Sequence, residues 1–241
     1  MDNGDLWHFL RWVGFGIRLA LLLLLLAGAL ITCASLVPSE RTVAEFRAAV
    51  AAGEVDRVSY QAAGGGDPVA HPRELIRLEW SESPLIWHEV RREIVDDAYR
   101  GYTVDQLMAD VNRAPVRASV VYDSEPDSGR NPFPDWPFKL PGGSNLWWLA
   151  AAWVVTFVIM LGSVPRLGNR WAWFWMFTIG QVGAILFLIL EPRPVWRGLG
   201  EVPVPEKRVM GGNGCLISIG LSIVSMVLAG GVGQLVGVVL G

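Results

Sequence analysis

Lysine, histidine and cysteine are scarce in this sequence, and each shortage removes a class of function. Lys139 and Lys207 are the only lysines among 20 basic residues, the formal net charge is −3, and no basic cluster stands out. A chain of that charge has little to offer a phosphate backbone, so nucleic acid is excluded as a partner. Two cysteines, Cys33 and Cys215, are too few for a disulfide scaffold or a multi-cysteine zinc or iron–sulfur site. The three histidines are His8, His71 and His88. His88-Glu89 opens the zinc-protease pattern His-Glu-x-x-His, but Arg92 stands where the second histidine belongs. No metal ligand set and no cofactor are expected.

Charge as a whole is also sparse. Charged residues make up 18% of the chain and apolar residues 52%, against about 25% charge in ordinary soluble domains. The excess of arginine over lysine, with much Ala and Gly, reads as GC-rich bacterial coding.

The apolar residues are concentrated. A bilayer core about 30 Å thick needs roughly 20 apolar residues in a helix. Four stretches meet that need: 19–37 with six consecutive leucines (Leu21–Leu26), 145–164, 171–190 and 213–240. Backbone polar groups in hydrocarbon must be satisfied within their own segment, so all four are expected as transmembrane helices. The first reads as a retained anchor, not a cleaved signal, although Leu30-Ile31-Thr32-Cys33 has the outline of a lipoprotein box. Residues 1–18 form a lead-in with Trp7 and Trp12; it either lies in the interface or extends the first helix. Trp147, Trp148, Trp171, Trp173 and Trp175 open the second and third stretches and are expected as interface anchors.

Between the first two helices, residues 38–122 have globular patterning. Thr42-x-x-Glu45 is a capping box, and Val43, Phe46 and Val50 share a helical face that ends at Gly53. Residues 55–62 and 76–80 alternate as strands. Ser83-Pro84 reads as a helix start, with Ile86, Val90, Ile94 and Ala98 at steps of four up to Gly101 and His88 on the helix surface. Thr103-x-x-Gln106 opens a further helix, and residues 116–122 a strand. The expected order is α-β-β-α-α-β. A Pro-rich tether at 123–144, carrying Phe133, Trp136 and Phe138, leads to the second membrane helix. A loop at 191–212 precedes the fourth.

The expectation is therefore a multi-pass α-helical membrane protein with four transmembrane helices and a small α+β domain between helices 1 and 2. No catalytic constellation is visible. Adjacent Asp96 and Asp97 point about 100° apart and do not converge, and no nucleophile elbow or Walker loop occurs. Gln181, Glu191 and Gln234 are the polar residues available to a transport or enzyme site, with Glu191 expected at a helix end within reach of water. The last helix carries Ala229, Gly233, Gly237 and Gly241 at every fourth position, a groove for close helix approach. It packs on this chain's own helices, on a second copy, or on a membrane partner. Cys33 and Cys215 are expected near the same face, either as a disulfide or as two small buried side chains. With the N-terminus inside, Arg11, Arg18, Arg166 and Arg170 are cytoplasmic while Arg193, Arg197, Lys207 and Arg208 are not, so the positive-inside count nearly ties.

Two local resemblances add to this. Val43-x-x-Phe46-x-x-x-Val50-x-x-Gly53-x-Val55-x-x-Val58 resembles the start of the extracytoplasmic domain of membrane-anchored AAA proteases, whose ATPase and zinc-protease motifs this chain lacks. That resemblance implies a domain outside the first membrane helix and an N-terminus inside. Gly168-Asn169-Arg170-Trp171-Ala172-Trp173-Phe174-Trp175, Leu190-Glu191-Pro192 and Arg208-Val209-Met210-Gly211-Gly212 are similar to uncharacterised multi-pass proteins of GC-rich bacteria. Together these readings imply a non-enzymatic inner-membrane protein whose partners are the bilayer and a membrane protein or a second copy.

Overall fold

The computed structural model describes residues 3–62, 75–90, 102–123, 136–137, 147–179, 182–192, 195 and 208–240. The chain divides into two compact units. One holds α1 up to Ala29, α4, α5, α6 and α7 up to Leu228; the other holds the domain between α1 and α4 with the ends of α1 and α7.

The domain is a mixed sheet with helices on one face. Its elements are β1 (Ser39–Glu40), α2 (Val43–Ala52), β2 (Arg57–Ala62), β3 (Leu75–Ser83), β4 (Ile86–Val90), α3 (Val104–Arg113) and β5 (Ser119–Tyr122). The strand order is β1-β4-β3-β2-β5. β3 pairs antiparallel with both β2 and β4, while the outer strands β1 and β5 pair parallel. Both helices start on full capping boxes: Thr42 Oγ1 accepts from Glu45 N, and Thr103 Oγ1 from Gln106 N, with each Glu or Gln side chain answering the cap backbone. α2 stops at Gly53, whose φ of 76° suits a residue without Cβ. Phe46, Ala49 and Val50 of α2 and Leu107 and Val111 of α3 close over Val58, Leu78, Trp80 and Val90. Phe46 meets Trp80 edge-on at 5.2 Å between ring centroids. Arg47 Nε and Tyr102 OH both donate to Asp110 Oδ2, at 2.9 and 3.1 Å, tying α2 to α3.

The helix expected from Ser83-Pro84 is not formed in its first part. Residues 84–85 are instead a two-residue turn, and Ile86–Val90 returns along β3 as β4. Ile86 and Val90, four apart, share a face in a strand as they do in a helix, so spacing alone could not choose. Pairing to β3 on one side and β1 on the other decides it. Ile94, Asp96, Asp97, Ala98 and Gly101 lie outside the described residues.

The other elements are α1 (Asn3–Leu36), α4 (Trp147–Gly162), α5 (Arg170–Thr178), α6 (Gly183–Leu190) and α7 (Gly211–Leu240). α1 runs unbroken from Asn3, so the lead-in extends the first helix. Two helices, His8–Leu36 within α1 and Gly211–Val239 within α7, are long and apolar enough to cross a membrane; α4 is apolar but shorter.

The expected third span, 171–190, is broken. Trp173 meets Phe187 at 5.3 Å between centroids and Phe177 meets Phe187 at 6.0 Å, so α6 folds back on α5. A straight helix would hold positions 173 and 187 about 21 Å apart. Gly183 makes the reversal possible, because a Cβ there would collide with the Met176 carbonyl. At nine and eight residues, each arm reaches only about 12–14 Å, half a hydrocarbon core.

Candidate functional site

The residues with the most chemistry lie where α2 crosses the β1-β4-β3 end of the sheet. Strand alternation and register put them there. Trp80 pairs with His88 across β3–β4, and Ser39 pairs with His88 across β1–β4. A 420 Å³ groove opens beside them, walled by Arg41, Glu45, Ala48, Ala49, Ala52 and Glu54 on one side and Trp80, Glu82, Ile86 and His88 on the other.

His88 is the centre of this arrangement and is 4% exposed. Its Nδ1 lies 2.5 Å from Ser39 Oγ. Its Nε2 lies 3.2 Å from Glu82 Oε1, close enough for an ion pair but without hydrogen-bond alignment. Trp80 packs against the ring at 5.1 Å. Burial pushes the imidazole pKa below its ordinary 6.5; Glu82 opposes the shift and Arg41 adds to it. The ring is therefore neutral at pH 7. Ser39, His88 and Glu82 stand in a row, with Ser39 outside the groove's lining. Trp80, 1% exposed, carries an indole N–H with no hydrogen-bond partner among the described residues.

On the rim, Glu45 accepts from Thr42 N and Thr42 Oγ1 at 2.8 and 2.9 Å. The Thr42 backbone bond chiefly holds its carboxyl below the usual range. On the opposite face of the sheet, Arg77 bridges buried Glu79 (2.8 Å) and Glu89 (3.3 Å). Burial, then Asp110, pushes the Tyr102 phenol up.

From the sequence His88 reads as a helix-surface residue; the structure buries it in a strand. The signal for it is the alternation Leu78-x-Trp80-x-Glu82, which a turn at 84–85 folds onto Ile86-x-His88-x-Val90.

The helix residues singled out in the sequence are distributed as follows. Gly233 lies against the end of α1: a Cβ there would fall 2.5 Å from Cys33 O and 3.0 Å from Val37 Cγ2. Gly237 is next along, where a Cβ would lie 3.8 Å from Val37 O. Ala229 is partly exposed, and Gly241 lies outside the described residues. Trp147 and Trp171 are exposed, Trp148 and Trp175 partly so, but Trp173 is buried against Phe187 and is a packing residue, not an anchor. Trp136 is also buried, while Phe133 and Phe138 lie outside the described residues. Both cysteines are free. The Cys33 carbonyl abuts Gly233, and the two cysteines form no disulfide.

Glu191 is not within reach of water. It is 1% exposed and accepts from Arg166 N at 2.7 Å and Leu167 N at 2.5 Å. Gln234 is exposed on α7 and Gln181 lies outside the described residues. Among the described residues, no three His, Cys, Asp or Glu side chains gather as a metal site.

No family model, curated protein or solved structure matches the chain.

Proposed function

We propose that the chain is a non-enzymatic, multi-pass protein of the bacterial inner membrane. It presents an extracytoplasmic α+β domain for scaffolding, assembly or regulation of an envelope partner. One observation carries this reading: the domain builds its core from its own residues, Val43 to Val111, directly after an apolar helix long enough to cross a bilayer. A module that closes its own core at the end of a membrane helix is suited to display.

The folded-back third segment supports a smaller number of crossings than four. Glu191, after α6, binds the backbone before α5. Val209, before α7, bonds Leu167 and Asn169 at 2.9 and 3.0 Å. Arg18 of α1 donates to Leu188 O at the same level. α5 and α6 thus dip in and return, and α7 sets out from the face where α5 began. We therefore favour three crossings (α1, α4, α7) and one re-entrant hairpin over four spans. α4, at 16 residues or about 24 Å, spans with slight local thinning. The charge count supports this arrangement: Arg11, Arg18, Arg166, Arg170 and Arg208 then fall on one side, the cytoplasmic, and α7 leads to the other without a charge.

Thiol labelling of whole cells tests this in a Cys33→Ser, Cys215→Ser background. Arg113→Cys and Val239→Cys should react from outside, and Arg208→Cys only after permeabilisation. The reverse pattern at 208 and 239 restores four spans. For the partner reading, crosslinking in mild detergent should capture a membrane protein or a second copy; a strict monomer without partners defeats it.

One feature favours a second reading, transport. Non-helical backbone at membrane depth is tolerated where it is buried in protein or lines a cavity, and Ser222 Oγ donates to Ile179 O at the hairpin's tip. If Gln181, Glu191 and Gln234 are replaced without phenotype, in an assay where deletion has one, that reading falls.

A further inference from the structure

We propose that β5 pairs edge to edge with β5 of a second copy, antiparallel about a two-fold axis at Val120, a reading that rests on the membrane anchoring proposed above. Among the described residues the sheet ends at β5, which has β2 on one side and no strand on the other. The opposite edge, β1, is two residues long and follows Pro38, so it offers little to a further strand. β5 lacks that protection. Its register with β2 runs unbroken from Ser119 to Tyr122, and residues 116–123 contain neither proline nor lysine, two residues that blunt an edge. Ser119 N donates to Asp56 O and Asp123 N to Tyr60 O, both at 2.9 Å. Alternate residues of a parallel ladder face the partner strand, so Ala118, Val120 and Tyr122 turn their N–H and C=O away from β2. Such groups are a template for one more strand.

Charge selects which strand. With the axis at Val120, outward-facing residues meet outward-facing residues, and both strands donate and accept along the seam. The same register sets Arg117 of each copy opposite Asp123 of the other, and both positions are exposed. A strand carrying one sign of charge would match one end of β5 and clash with the other; a copy of β5 matches both. Tyr122, 52% exposed and packed on Tyr60, then lies opposite the small Ala118. An edge this short buries too little for a stable dimer in water, but chains anchored in one bilayer meet at high effective concentration.

The test uses the full chain in liposomes, in a Cys33→Ser, Cys215→Ser background, with Val120→Cys on the axis. Residues opposite one another in a hydrogen-bonded antiparallel pair stand about 5.5 Å apart at Cα, within the span of a disulfide. On mild oxidation Val120→Cys should form a disulfide dimer about tenfold or more faster than Arg113→Cys, an exposed position on α3. Arg117→Asp sets like charges opposite at both ends and should slow the Val120→Cys crosslink about tenfold. Adding Asp123→Arg should restore the rate, which guards against misfolding of the single variant. Equal rates at 113 and 120, a rate indifferent to Arg117→Asp, or no recovery on the exchange overturns the proposal. In whole cells, a Val120→Cys disulfide to a different protein, with none to itself, overturns the second copy as the occupant. A chain that stays in the liposomes yet gives no crosslink at 120 sinks the edge pairing alone and leaves the anchoring standing; a chain that the liposomes do not retain sinks both.

Discussion

The domain and the apolar helices solve one packing problem in opposite ways. In the domain, apolar side chains leave water, so each helix shows one greasy stripe and polar caps fix where it starts and stops. Phe46 and Val50 face the sheet while Glu45 and Arg47 face out. Around the helices, in the proposed bilayer, apolar surface has nothing to flee. Val238, Leu216 and Val227 of α7 are 83%, 71% and 66% exposed, and cohesion comes instead from close approach and backbone hydrogen bonds. Gly183 and Gly233 admit a neighbouring backbone, and Glu191 ties two loops. Burial holds one region together, and close contact the other.

That contrast can be broken at single residues. The largest effect is expected at Phe46, fully buried under α2. Phe46→Ala should cost about 3–5 kcal/mol, seen as loss of cooperative domain unfolding in near-UV dichroism while membrane extraction is unchanged. Next comes Gly183→Leu, where added atoms must displace the Met176 backbone. Overpacking of about 1–3 kcal/mol should separate α5 from α6 and make a cysteine at Trp173 newly reactive, with the domain melt unaltered. Thr42→Ala removes one half of a capping box and should lower domain stability by about 1 kcal/mol, read in urea. The smallest is a matter of pH. Because folding lowers the His88 pKa below 6.5, the unfolded chain binds more protons just below that value, and stability is full above it and declines as pH falls. His88→Gln should flatten the melting temperature against pH from 6.5 downward; a curve unchanged by the substitution contradicts the buried neutral ring.

The same contrast explains what is legible in the sequence. Caps are chemical and local, so Thr42, Thr103 and Gly53 are readable, and with them α2 and α3. The half-buried strand β2 is readable from Val58, Tyr60 and Ala62. β4 is not, because Ile86-Trp87-His88-Glu89-Val90 satisfies two periods and only its neighbours choose between them. With β4 goes the groove, since His88 on a helix has no Trp80 or Ser39 beside it. The break between α5 and α6 is hidden for a different reason. A uniformly apolar segment has no polar face to mark a reversal, and Gly183 announces one only once Met176 is known to lie against it.

Ser39 has a consequence for how the end of α1 is coupled to the sheet. It lies three positions after Leu36, the last residue of α1, and its hydroxyl rests on the imidazole of His88. The helix therefore passes into the sheet through Val37 and Pro38 alone, a joint with no slack. Ser39 is thus both the first residue of the sheet after the helix and the partner of the buried imidazole.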